Sequence, residues 1–167
     1  MRMSTRIAAA IGLAAVATLG SPATAGDTDK ATGGGQILLS SDGRGPGDTI
    51  AFTAQAREDG TVVGNVNIID RAGTGPGTGA GRGFHFKGDV ICIDVQGNVA
   101  KIGGYGENAD GETTGFTLVV TDNGEGLDDN DLIALEYVDE PTCEHEDGDN
   151  DGAVELARGN AQVKDGI

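Results

Sequence analysis

The chain has 167 residues, 37% of them apolar, with 30 Gly, two Cys and no Trp, a size that suits one domain. Its 27 acidic residues against 11 basic ones give a formal charge of −16, which argues against nucleic acid or an anionic membrane as partner and leaves no basic patch for phosphate. Two histidines and 4% aromatic residues are thin material for a hydrolytic centre or a sugar-stacking platform, so no enzymatic activity is expected.

Arg2 and Arg6 precede an uncharged apolar run from Ile7 to Leu19, and Ser21 to Ala25 end in an Ala-x-Ala pattern. This predicts a secretory signal peptide over residues 1–25, cleaved after Ala25, and a secreted, extracellular product. The run of about 13 residues is shorter than a membrane-spanning helix needs, and no later segment comes closer, so no span is expected in the mature chain. Residues 26–31 read as a polar linker and 32–167 as the domain.

The domain divides into short apolar stretches separated by Gly, Asp and Asn clusters, without a helical stripe, and so reads as all-β. A strand is predicted from Gly35 to Leu39, then one over Asp48 to Ala56, where Ile50, Phe52, Ala54 and Ala56 share a face. Glu58, Asp59 and Gly60 turn the chain into Thr61 to Asp70, making a hairpin. Arg71 to Gly83, with six glycines and Pro76, reads as a surface loop. Gly83 to Lys87 and Val90 to Val95 are predicted as strand separated by a bulge or bend at Gly88 and Asp89. A turn at Gln96 to Asn98 leads into Val99 to Tyr105, and Gly115 to Thr121 and Asp131 to Val138 supply two more strands. Ala153 to Leu156 and Asn160 to Val163 close the chain. About eight or nine antiparallel strands imply a Greek-key sandwich or a closed barrel.

The ordered series GGGQI (Gly33 to Ile37), IAFTAQA, GNVNIID, the single His85, ICIDVQGNVAKIGG, GFTLVVTDNGEG and RGNAQV resembles the secreted bacterial β-domains found after "choice-of-anchor P" modules. The likeness extends from about Thr32 to Asp165. It implies an extracellular β-domain without assigned enzymatic activity, used alone or as a module in cell-surface proteins, and it carries over no catalytic residue; the expected partner is an extracellular protein or surface polymer. Relatives of this kind hold a Cys pair at positions resembling Cys92 and Cys143. The Gly-rich loop and the acidic stretch around Glu144 to Asp151 are longer here than the resemblance suggests.

An even, small number of cysteines in an exported chain is expected to oxidise. If Ile91, Ile93 and Val95 face the core, Cys92 points outward, within reach of a loop carrying Cys143; an intermolecular bridge or two free thiols are the alternatives. Asp147, Asp149 and Asp151, followed by Gly152, have the D-x-D-x-D-G spacing with which alternate carboxylates reach one Ca2+, and Glu155 is a further candidate ligand. Arg158 stands where an EF-hand would place its bidentate glutamate, so a calcium loop of another type, or a solvated acidic loop, is expected. A second acidic run holds Asp122, Asn123, Glu125, Asp128, Asp129 and Asp131. His85, in a strand between two phenylalanines, is expected on the outer face. Two histidines and an occupied cysteine pair do not readily furnish a zinc site. The expected function is binding or structural, at or outside the cell surface, with a calcium-dependent interaction module as the alternative and a hydrolase as the third reading.

Overall fold

The computed structural model describes residues 28–37, 48–70, 84–108, 111–124, 130–146 and 148–166. The predicted leader over 1–25, the Gly-rich stretch 71–83, Asp147, Glu125, Asp128 and Asp129 lie outside the described residues. Eight strands follow one another: β1 (Lys30–Ile37), β2 (Asp48–Ala56), β3 (Val62–Asp70), β4 (Phe84–Gln96), β5 (Val99–Glu107), β6 (Thr113–Thr121), β7 (Leu132–Val138) and β8 (Val154–Lys164). Each pairs antiparallel with the next and β8 returns to β1, closing a barrel. Of the two expected architectures the barrel is the one formed, and its strands keep sequence order, so no Greek-key return occurs.

Alternation decides what faces inward. On β2, Ile50, Phe52 and Ala54 are buried while Ala51, Thr53 and Gln55 are exposed. On β3, Val66 and Ile68 continue the same face by pairing with Phe52 and Ile50. The hairpin between them is built locally. Asp59 Oδ1 accepts the Thr61 amide at 2.9 Å and the Thr61 hydroxyl at 2.6 Å, and Gly60 takes a φ of 80° that a side chain would resist.

Three phenylalanines, Phe52, Phe86 and Phe116, fill the interior, and each lies over inward-facing glycine. A Cβ at Gly33 would stand 2.7 Å from the Phe52 ring, one at Gly88 2.5 Å from Phe116, and one at Gly106 2.5 Å from Phe86. Large rings on some strands thus fit against bare backbone on their neighbours, which lets eight strands close over a packed centre. Phe86 meets Phe116 and Tyr137 edge-on, at centroid distances of 5.6 and 5.3 Å.

The strand boundaries differ from expectation for the same reason. β1 runs over Lys30–Ile37, beginning five residues before the predicted Gly35 and taking two residues from the predicted linker, while Leu38 and Leu39 lie outside the described residues; Gly33 to Gly35 disguise its period because their missing side chains make room for Phe52 and for β8. β4 is one continuous strand through Gly88 and Asp89. Its irregularity falls between Val90 and Cys92 instead, so Ile91 points outward, 51% exposed, beside Cys92 rather than into the core. Likewise the two closing segments form the single strand β8, with its register shift beside Ile37.

The seam between β7 and β8 is short. Only Leu132–Glu155 and Ile133–Val154 pair across it, extended by a hydrogen bond from the Leu156 amide to the Asp131 carbonyl at 2.8 Å. Farther along β8 two side chains do the work of a strand: the Ala161 amide donates to Asp131 Oδ2 at 2.6 Å and the Val163 amide to Asp122 Oδ2 at 3.0 Å. Asp131, only 4% exposed, spends its other oxygen on the Asn123 amide at 3.0 Å. These two members of the second acidic run are therefore closing the barrel.

Candidate functional site

From the end of β7 the connection 139–153 does not turn directly into β8 but crosses the outside of β4, β5 and β6 as a strap. Its anchors are specific. Cys143 meets Cys92 at disulfide distance, with 6.0 Å between their Cα atoms, above Gly103, where a Cβ would stand 2.9 and 3.1 Å from the two sulfurs. Bulging of β4 at Ile91 and the absence of a side chain at Gly103 together make the outer face flat enough for the pair. The intramolecular arrangement, of the three pairing possibilities, is the one present.

Next to it, Lys101 projects from the outer face of β5 and is covered by the strap until it is 3% exposed. A buried ammonium needs partners, and this one donates to the Glu144 carbonyl at 2.6 Å and to Asp149 Oδ1 at 2.7 Å. Asp149 Oδ2 accepts the Glu146 amide at 2.9 Å. His145 lies between two carboxylates, its Nε2 3.5 Å from Asp94 Oδ2 and its Nδ1 3.5 Å from Asp149 Oδ2. Farther along, the Thr121 hydroxyl donates to Asn150 Oδ1 at 3.2 Å. Burial alone would push the Asp149 carboxyl up, but the Lys101 hydrogen bond, the Glu146 amide and the charges of Lys101 and His145 more than offset it, and the net shift is downward from 3.8.

A lowered carboxyl pKa stabilises the fold above the ordinary carboxylate range, and that contribution is lost as pH falls through the lower folded value. Urea unfolding of the native chain and of Asp149→Asn should therefore differ most near neutrality and converge between about pH 5 and pH 2. A gap that stays constant over that range would show that the carboxylate is not held by Lys101.

Between the strap and the outer faces of β5, β6 and β7 lies a cleft of about 520 Å³. Its floor includes Val119, Ala134 and Val138, and Glu136, Glu140, Glu146 and Asp151 stand around it. A hollow of about 500 Å³ on the strap's other flank reaches Gln96, Val99 and His145.

Asp147 aside, which lies outside the described residues, the predicted calcium residues are dispersed in role. Asp149 is the counterion of Lys101, Asp151 is exposed at the cleft, and Glu155 lies on β8 with its Oε2 accepting from Asn130 Nδ2 at 3.2 Å. Among the described residues no three His, Cys, Asp or Glu side chains gather closely enough to share an ion. His85 is on the outer face, bonded to Asn67 Oδ1 at 2.7 Å. Lys101 escaped the sequence reading. Its signal was available: a lysine at an outward position of VAKIGG, one of 11 basic residues, in a chain with a long acidic loop still to be placed.

No known protein family, characterised protein or solved structure matches the chain, so the likeness to the post-"choice-of-anchor P" domains rests on the sequence motifs alone.

Proposed function

We propose that this chain is a secreted, non-catalytic β-barrel domain that binds an extracellular protein or surface polymer through its outside, with the strap cleft as the binding surface. The observation that carries the reading is the division between a filled interior and an excavated exterior. Phe52, Phe86 and Phe116 occupy the centre that a ligand-carrying barrel would leave open, whereas a tethered strap walls off a cleft outside. Its size falls in the range of ligand sites. Export is supported by the leader and by the oxidisable cysteine pair, and the lack of catalysis by the poverty of nucleophiles and aromatic platforms.

Expressed with its leader in a secreting bacterial host, the chain should be recovered from outside the cytoplasm with Gly26 as its N-terminus and no alkylatable thiol until reductant is added. A product retained in the cytosol with two free thiols overturns the reading.

Calcium-dependent binding stands second. It draws on Asp151, exposed beside the strap's acidic stretch, but both oxygens of Asp149 already accept hydrogen bonds from this chain. Melting temperature raised by calcium beyond the effect of sodium chloride at equal ionic strength would promote this reading, and equal shifts would remove it.

A further inference from the structure

We propose that the strap cleft takes a lysine- or arginine-bearing segment of a partner protein, the alkyl stems lying on the apolar floor and the charged heads meeting the carboxylate rim; this rests on the reading of the cleft as the binding surface. The floor and the rim make different demands. Ala134 and Val138, both half-buried, offer apolar contact, whereas Val119 behind them is only 4% exposed and adds little. Glu136, Glu140 and Asp151 have no ion-pair partner among the described residues, because the nearby basic side chains, Lys101 and His145, face Asp149 and Asp94. The rim therefore keeps its negative charge, on a chain that carries −16 overall.

Anions are repelled, and a neutral apolar ligand would strip water from the carboxylates without pairing them. A single metal ion would ignore the floor and would find no three carboxylates converging. Long cationic side chains satisfy both surfaces at once, burying methylenes while leaving the charge at the edge. At about 520 Å³ the cleft exceeds one lysine side chain, and its separate carboxylates favour several positive charges on one segment over a lone amine. Rim charges of this kind set association rate and salt dependence.

The probe is an acetylated, amidated heptapeptide alternating Lys and Val, titrated calorimetrically into the oxidised mature protein at low and high salt. The same peptide with Glu in place of Lys, spermidine, and calcium chloride at matched ionic strength serve as controls. We expect the Lys/Val peptide to bind, Glu136→Gln/Glu140→Gln to weaken it about tenfold and flatten its salt dependence, and Glu58→Gln/Glu107→Gln, exposed carboxylates elsewhere, to change it less than about twofold. Equal weakening by the two variants would reduce the binding to general attraction by net charge and overturn the proposal. So would equal affinity for the Glu/Val peptide, tighter binding of spermidine or calcium than of the Lys/Val peptide, or no binding at all. These failures in an exported, oxidised chain remove the ligand class only; free thiols in a cytosolic product remove the underlying reading instead.

Discussion

Reducing the Cys92–Cys143 bridge should lower the stability of the domain by about 4 kcal/mol while leaving its β spectrum in place. The bond spans 51 positions, and most of its effect in the chain-entropy description comes from limiting the unfolded ensemble rather than from contacts in the barrel. The strap keeps a second hold when the bridge opens, because Lys101 still grips the Glu144 carbonyl and Asp149. Equilibrium urea unfolding with and without reductant, and of Cys92→Ser/Cys143→Ser, measures the effect. A midpoint unmoved by reduction would mean that the pair is not closed in the folded protein.

Phe116→Ala should cost about 3–5 kcal/mol, the range for removing a fully enclosed aromatic ring. Phe116 is completely buried, edge-on to Phe86, and lies over Gly88 and Gly104. Neighbouring backbone is tied into two ladders by β4 and β5 pairing, so it can collapse little into the vacated space. Gly88→Ala, adding a methyl where two rings stand, should cost about 1–3 kcal/mol. In the double variant the methyl enters the space the Phe116 ring has left, and the combined loss should fall short of the sum. Additive losses, or a Phe116→Ala cost below about 1 kcal/mol, would show that ring and glycine do not meet in the core.

Period-two alternation made β2, β3, β5, β6 and β7 legible in the sequence, since each buries one face and keeps the other wetter or differently covered. Glycine defeated the same reading in β1 and at Gly88. There it is a place where a ring from another strand enters, and no local pattern says which ring. Closure into a barrel depends on β1 meeting β8, a pairing between the two ends of the domain that alternation within a strand cannot specify. At the site, the cysteines were visible because a small, even number of them in a chain with a leader-like N-terminus is expected to oxidise. The outward direction of Cys92 was foreseen, but with Ile91 on the wrong side, since the bulge falls at Ile91, beyond the Gly88 and Asp89 that the glycine suggested. Acidic spacing pointed to a cation at Asp149, and the cation found there is the chain's own Lys101. Asp122 and Asp131 read as loop charges, although they serve main-chain amides; such roles appear only when two distant segments are seen side by side.

That last arrangement gives the wall of the barrel a natural place to part. The β3–β4 ladder, like the others around the circumference, joins at least six residue pairs, whereas β7 and β8 join two and depend on carboxylates beyond that point. Thermal breathing concentrates where the fewest bonds must break together. The cylinder therefore behaves as a curled ribbon fastened at one edge, and motion at that fastening is felt first along the β7 side on which the cleft opens.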